Sequence, residues 1–546
     1  MRSKRIIVLL SGEIACGKST FRESMATLFG FKSLETRAAL EQIAGKEGKD
    51  YKKRGFLQRY GRKKDKETAG GWVVDHYQSE ILNHDRIIVD AVRIKEQIEA
   101  FRRAYGYVVY HIHLNAPLEK RKEWFVKRRK GIDEFITDEE AIEKFEEYSN
   151  DPTERNVAKL SSEADLLIEV TDTENRNDPV IRAGSFLKLL APIHSKNVDI
   201  VIGGQFGSEG KGQIAAHLAP EYDCLVRVGG PNAGHMVFND PPDKFHIIPS
   251  GTGRAKDAKI ILGPGTVIGI DVLLEEIAKF GLDHSRLLID ENASIINESD
   301  IAAELKLDRI GSTKQGVGAA TANNLFTNRL RSDDRHKAKN NALLKQYVGS
   351  AHEEYQKLNL QNKKILLEGT QGTLLSLHHG FYPHVTSRDT TAVGCLAEAG
   401  IGSNRVRKIV LVVRRYPIRV QNPIEGTSGP FESREITFEE VNKRSGVPLN
   451  EISTTERTTT TNKVRRIAEF NWSLFRKSCE LNTPTDIAFT FADYISYDNR
   501  SARRYDQLTA ETAKFIEELE RCSEVPVSLI TTGFALKSII DRRNWI

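Results

Sequence analysis

The sequence predicts an α/β protein in two parts, and three features carry that reading. Apolar runs of strand length alternate with helical periodicity throughout the 546 residues, the pattern of strands packed beneath helices. A strand, a Gly-rich turn and a helix follow one another twice, in "RIIVLLSGEIACGKST" and in "VDIVIGGQFGSEGKGQ". Between these two openings the closing-helix pattern "PVIRAGSFLKLLA" gives way to "PIHSKN", which puts a boundary near 191 to 197. Two nucleotide-binding units are therefore expected, over 1–190 and 197–546. The second, about 350 residues, is long for one domain.

In chain order, "RIIVLLS" reads as a buried strand and Lys18 opens the helix behind its glycine turn. "DRIIVDAV", "YVVYHIHL" and "ADLLIEV" are further strands. The polar stretch "TDTENRNDP" precedes the closing helix, and "VDIVIGG" starts the second unit. There are no internal repeats.

Composition narrows the function classes. Apolar residues make up 39% and charged residues 28%, and 80 basic against 75 acidic side chains leave +5. That balance does not point to nucleic acid, but it suits anionic small substrates held by basic clefts. No apolar run approaches the roughly 18 residues of a membrane helix. "MRSKRIIVLLSGE" starts like a signal peptide, but IIVLL is too short an apolar core. Five cysteines, at 16, 224, 395, 479 and 522, lack C-x-x-C spacing. They read as reduced thiols of a cytoplasmic protein.

"GEIACGKST" fits G-x-x-x-x-G-K-[ST], with Gly12, Gly17, Lys18 and Ser19, and Thr20 beside them. The glycines let backbone N–H groups face a phosphate, Lys18 reaches the terminal phosphates, and the Ser19 hydroxyl is a Mg²⁺ ligand. The N-terminus of the following helix adds its positive dipole end. Around this loop, "FLQRYGRKKDKETAGGWVVD" (56–75), "IIVDAVRIKEQIEAFRR" (87–103) and "LEKRKEWFVKRRK" (118–130) resemble the acceptor side, a strand with Asp-x-x-Arg, and the lid of phage-type deoxynucleoside monophosphate kinases. The resemblance covers residues 5 to about 170. It implies a P-loop nucleoside monophosphate kinase-like parallel sheet. Asp90 would hold Mg²⁺ through water or accept a sugar hydroxyl. Arg93, Arg121 and Arg128 would neutralise the transferring phosphoryl group.

The second glycine loop, "GGQFGSEGKGQ" (203–213), is followed by "RVGGPNAGHMV" (227–237), "FHIIPSG", "RLLIDENA", "GSTKQGVGAA" and "LLEGTQGTLLSLHHGFYPHVTSRDTTAVG" (366–394). Then come "RYPIRVQNP", "TTTTNKVRRIAEFN" (458–471) and "VSLITTG" (527–533). In this order the segments resemble adenylosuccinate synthetases over nearly all of 197–546. The resemblance implies a large mixed sheet with flanking helices and a homodimer. The reaction implied joins L-aspartate to C6 of a purine monophosphate, after a nucleoside triphosphate has phosphorylated the C6 oxygen with Mg²⁺ present. A carbonyl oxygen leaves badly and a phosphate leaves well. The step therefore needs a base for the N1 proton and a cation or acid at O6.

On this resemblance His235, Lys211 and Ser208 fall in the catalytic positions, and Ser208 and Gly234 at Mg²⁺. Asn232, Thr313, Gln371 and Thr386 match contacts to the purine monophosphate. Thr460, Thr461, Lys463 and Arg465 fall on the aspartate-binding loop, where Arg465 can fork onto a carboxylate. Gly207, Glu209, Gly210, Gly212, Asp493, Thr532 and Gly533 match the triphosphate site.

Two departures bear on substrate. The family's loop reads Gly-Asp-Glu-Gly-Lys-Gly, and its aspartate takes the N1 proton and binds Mg²⁺; here the position is Ser208. A hydroxyl is a weak base and a weaker metal ligand. Three readings follow: a protein that only binds nucleotides, an IMP-using synthetase in which water or Glu209 takes the proton, or altered substrate choice. Phage-type 2-aminoadenylosuccinate synthetases, which accept dGMP, resemble this chain in carrying serine there. The fused kinase leans toward a deoxynucleotide. The second departure is "TFAD", with Phe491 where common members have lysine in Thr-Lys-x-Asp. Asp493 can still accept from a guanine, but ATP or dATP becomes as plausible a donor as GTP. Archaeal-like members also resemble T-F-x-D-Y, so lineage is an alternative explanation.

Overall fold

A computed structural model describes residues 5–49, 54–132, 135–170, 175, 177–190, 195–305, 312–330, 334–458 and 463–543. The chain divides into two compact units, Met1–Leu190 and Ala191–Ile546.

The first unit is built on five strands, β1 (Ile6–Gly12), β2 (Lys32–Glu35), β3 (Arg86–Asp90), β4 (Val109–Asn115) and β5 (Leu166–Glu169). They lie in the order β2-β3-β1-β4-β5, and every pairing is parallel. The alternation along β1 shows why its whole run is apolar. Ile6, Val8 and Leu10 enter one core cluster, while Ile7 and Leu9 enter the cluster on the other face. Helix α1 (Lys18–Phe29) starts from Gly17, whose φ of 92° is the left-handed conformation glycine adopts without strain. The closing helix is Asp178–Phe186, shorter than "PVIRAGSFLKLLA" suggests, because Leu187 caps it.

The second unit carries a ten-stranded sheet. Its spatial order is Val348–Gly349, Leu287–Asp290, Lys259–Leu262, Cys224–Arg227, Ile365–Glu368, β6 (Val198–Gly203), Val406–Arg414, Asp486–Thr490, Val527–Thr531 and Ile539–Asp541. The pairings are parallel except the last, which is antiparallel and makes the sheet mixed. Again the central strand feeds both faces: Val198, Ile200 and Ile202 pack on one side and Val201 on the other. β6 lies between Ile365–Glu368 and Val406–Arg414. The three loops leaving the carboxyl ends of these strands converge, as they do in open α/β sheets generally. Among the described residues no helix is long and apolar enough to cross a membrane.

Candidate active site

The loop after β6 is shaped from within. Gly210, at φ 91°, ends it, and Lys211 begins the helix Lys211–Leu218. Gly17 and Lys18 form the same junction in the first unit. The Glu209 carboxylate turns inward, fully buried, and accepts from the backbone N–H groups of Gln205 (3.0 Å) and Gly207 (2.8 Å). Its other oxygen pairs with Lys211 Nζ at 2.6 Å. Glu209 therefore sets the loop's curvature and neutralises Lys211. It lines neither cavity of this unit described below, unlike its expected place at the triphosphate and its alternative role as proton acceptor. A Cβ on Gly372 would lie 2.4 Å from both Glu209 Oε1 and Gln205 O, so the "GTQG" loop needs glycine to close over the same carboxylate.

A cavity of about 420 Å³ lies over this loop. It collects Gly207, Ser208, Lys211, Asn232, Gly234, His235, Thr313, Gln371, Thr386 and Arg465, side chains and backbone from separate stretches of the chain. Glu304, which lines the cavity with Thr313, accepts from the N–H groups of Gly316 (2.9 Å) and Gly318 (2.6 Å). The Oδ1 of Asn232 is buried and has no hydrogen-bond partner among the described residues, an acceptor left for a ligand. Gly212 does not line the cavity. It is packed beneath, where an added Cβ would come 2.9 Å from the Cβ of His235.

His235 is bonded through Nδ1 to Glu368 Oε1 at 2.5 Å. Glu368 ends the strand next to β6 and also accepts from Ser250 Oγ (2.5 Å) and Ser250 N (2.7 Å). Burial, reinforced by the Arg227 guanidinium, pushes the imidazole down to about 4. Burial opposes the charge of Glu368, but His235, Arg227 and Ser250 outweigh it and hold the carboxyl below its ordinary range. The arrangement is a neutral imidazole donating from Nδ1 to a carboxylate, with Nε2 left for a ligand.

Ser208, exposed and at φ 58°, receives a hydrogen bond from Arg465 Nη2 at 3.2 Å. Arg465 Nη1 approaches Glu456 Oε2 at 3.4 Å. Glu456, fully buried, also pairs with Arg414 and accepts from Tyr494 Oη at 3.0 Å. Arg414 Nη1 in turn reaches the Ser208 carbonyl at 3.3 Å. Lys463 is exposed, and its backbone N–H donates to the hydroxyl of Thr458, a cavity residue. Thr460 and Thr461 lie outside the described residues.

A smaller cavity of about 50 Å³ gathers Gly210, Phe491, Asp493 and Gly533. Burial pushes Asp493 up to about 6, against the opposing pull of Arg500, whose Nη2 sits 3.2 Å away. Phe491 lies under Arg414, ring centroid to guanidinium carbon 4.0 Å. Thr532 does not line this cavity. Its hydroxyl is turned to the Ala502 and Ser538 carbonyls.

In the first unit a Cβ on Gly12 would meet the Leu114 carbonyl at 2.5 Å, so the loop is pressed against β4. Lys18 Nζ donates to the Gly12 and Glu13 carbonyls, at 2.5 and 2.8 Å. Ser19 and Thr20 lie in the first turn of α1, Ser19 half-buried and Thr20 exposed. Asp90 accepts from Arg22 at 3.1 Å through Oδ2, and its buried Oδ1 has no partner among the described residues. Burial raises its pKa against Lys18 and Arg22. Arg93 approaches Glu154 at 3.6 Å and Arg121 approaches Glu13 at 3.1 Å. Arg128 is exposed on the helix Leu118–Lys130.

The adenylosuccinate synthetase family model matches residues 200–341 and 334–500. The chain belongs to the adenylosuccinate synthetase family.

The adenylosuccinate synthetase of Methanocaldococcus jannaschii is 34% identical over 356 residues, covering 63% of this chain and 96% of that one. The Archaeoglobus fulgidus adenylosuccinate synthetase is 35% identical over 354 residues, covering 63% and 98%. The solved structure of the fully ligated Plasmodium falciparum adenylosuccinate synthetase shares the fold, with TM-score 0.54 and 22% identity over 64% of this chain and all of that one. The cyanophage S-2L succinoaminodeoxyadenylate synthetase, solved with dGMP and with dATP as energy donor, has TM-score 0.52 and 25% identity, covering 64% and 96%.

Some members of the synthetase site were not singled out from sequence. Glu368, Glu456, Arg414 and Arg419 all stand in or beside quoted segments, yet they read there as ordinary charged residues. Arg419 is held by the Ser428, Pro430 and His384 carbonyls and lines the large cavity. Burial, with Arg466 nearby, lowers it to about 10. A buried carboxylate at the end of a parallel strand was the available signal, since charge at such a position is costly unless paired.

Proposed function

We propose that the C-terminal unit of this synthetase family member condenses L-aspartate with dGMP rather than IMP, using an adenine nucleoside triphosphate. The N-terminal unit, on this reading, transfers phosphate to a deoxynucleoside monophosphate, and the whole chain works as a homodimer. The observation that carries the ligase reading is the convergence of Ser208, Lys211, Asn232, His235, Gln371 and Arg465 on one cavity. The dGMP reading is supported by the uncharged Ser208 on its wall and by the cyanophage synthetase, solved with dGMP and dATP.

The residues fit Mg²⁺ as an ion held mainly by substrate phosphates and water, with one or two protein oxygens. Ser208 and Gly234 line the cavity, and the described residues contain no cluster of three His, Cys, Asp or Glu able to hold a metal alone. Bound with Ser208 and Gly234, Mg²⁺ would offset phosphate charge.

As the purine's C6 oxygen is phosphorylated its N1 proton passes through water to Nε2 of His235, which is neutral and oriented by Glu368. Lys211 stabilises the phosphoryl group on its way from the triphosphate to that oxygen. The aspartate amine then forms the C6–N bond as the C6–O bond breaks and inorganic phosphate leaves. Arg465 pairs with an aspartate carboxylate. At the base, serine removes a negative charge from beside a purine with a 2-amino group, and a changed polar demand of this kind discriminates strongly between analogues.

The test is aspartate-dependent phosphate release by the purified chain with Mg²⁺ and ATP, adding dGMP, GMP, dIMP or IMP in turn. Release with dGMP above the others is expected. Release with IMP alone defeats the dGMP preference, and no aspartate-dependent release with any of them removes the ligase reading for this chain.

A further inference from the structure

A cavity of the first unit, about 150 Å³, is lined by Thr36, Arg62, Asp65, Trp72, Arg93 and Gln97 among others. Thr36 and Arg93 place it at the carboxyl ends of β2 and β3. The Val92 N–H donates to the Leu10 carbonyl at 3.0 Å, so Arg93 leaves the sheet directly beside the strand that feeds the glycine loop. An acceptor for phosphate held on that loop would enter from this side.

The wall of this cavity is fixed around one carboxylate. Asp65 Oδ1 accepts from Trp72 Nε1 at 2.6 Å and from Gln97 Nε2 at 2.9 Å. Trp72 is buried in the unit's core, and Gln97, also buried, is held at its other end by the Arg93 N–H donating to its Oε1 at 2.9 Å. Both lone pairs of Oδ1 are thus used by rigid donors, and Oδ2 is the oxygen left to a ligand. Arg62, exposed on the same wall and one turn before Asp65 in the helix Arg54–Thr68, offers donors beside that acceptor. Resting on the kinase reading above, we infer that this cavity selects a guanine base, with Asp65 accepting from N1–H and the 2-amino group and Arg62 donating to O6.

The alternatives match less well. Guanine alone among the common bases presents two adjacent donors and a neighbouring acceptor on its pairing edge. Thymine offers Asp65 one donor, and adenine and cytosine each set a ring acceptor against the carboxylate. With N1–H and the 2-amino group both donating to Oδ2, the two hydrogen bonds to one base edge are expected to discriminate by about 1–3 kcal/mol, or roughly 5- to 150-fold.

The test uses the full chain with Mg²⁺ and ATP, without aspartate, and follows conversion of dGMP, dAMP, dTMP and dCMP to their diphosphates by chromatography. Diphosphate formation reports the first unit separately from the ligase. The expected result is the highest kcat/KM with dGMP, and at least a ten-fold fall in the dGMP-to-dAMP ratio for Asp65→Asn with KM for ATP unchanged. Trp72→Phe, which removes one of the two donors to Oδ1, is expected to lower the same ratio by less. Diphosphate formation at least as efficient from another base, or an Asp65→Asn protein that turns over with unaltered ratios, overturns the guanine assignment and leaves the kinase standing. An Asp65→Asn protein whose KM for ATP is also lost would make Asp65 structural, and that outcome too overturns it. No diphosphate from any of the four removes the kinase reading itself, and this inference with it.

Discussion

Arg465 donates from Nη2 to the hydroxyl of Ser208 across 3.2 Å, joining residues 257 positions apart in the chain. The same guanidinium approaches the buried Glu456, which is also paired with Arg414. Where relatives of this family place an aspartate, this chain has a neutral hydroxyl facing a cation that shares its one buried carboxylate with Arg414.

Replacing Ser208 by Asp adds a carboxylate against Arg465. Aspartate tolerates the left-handed backbone at φ 58° better than most residues, so the loop is expected to persist. Ser208→Asp should lower kcat/KM for dGMP and raise it for IMP, moving the ratio by about ten-fold or more. Steady-state phosphate release with each nucleotide measures it, and an unchanged ratio would separate Ser208 from base choice.

Glu368→Gln keeps the shape of the side chain but removes the charge behind His235. Positioned proton transfer contributes about 10²–10⁴-fold, so kcat should fall by about 10²-fold or more while KM for dGMP changes little. The pH profile separates this from a packing effect. With His235 held down to about 4, the wild-type imidazole stays neutral from pH 5 to 8, and its protonation should produce an acid limb through about 4. A limb near the ordinary histidine value would contradict a neutral, buried ring.

Gly212→Ala tests the packing beneath His235. The new Cβ lies 2.9 Å from the Cβ of His235 and 3.1 Å from Ser250 Oγ. Overpacking of this kind costs about 1–3 kcal/mol, against about 0.5–1 kcal/mol gained by replacing glycine within a helix. The net effect expected is a lower Tm together with a loss of turnover larger than the stability change explains. Differential scanning calorimetry with single-turnover assays would show both.

Asp493 gives a stability prediction with a defined sign. Burial raises its folded-state pKa to about 6, above the unfolded carboxyl near 4, so ionisation is penalised only in the folded protein. Its contribution to stability is fully present below the unfolded value and is lost as pH rises through about 6. Asp493→Asn removes that dependence. The Tm of the variant relative to wild type should therefore climb between about pH 4 and 7 and level off above, as followed by thermal melts in matched buffers.

The sequence by itself determined both glycine loops, the alternation that builds two α/β units, and the family of the second unit. These are local facts. Gly17 before Lys18 and Gly210 before Lys211 state their left-handed junctions in adjacent residues, and a fully buried strand such as β6 has to be apolar on both faces. The tertiary structure alone decided which charges are spent internally and which are left for ligands. Glu209 stands in the most informative motif of the chain, yet its carboxylate turns inward to the N–H groups of Gln205 and Gly207. Glu368 reads as one acid at a strand end, and it is the parallel pairing with Cys224–Arg227, the strand eight residues before His235, that sets it beside that ring, 133 residues earlier in the chain. Burial sets the cost of a charge, and the partner that offsets it comes from whichever segment the sheet order brings alongside. That pairing has no period or spacing along the chain from which it could be read.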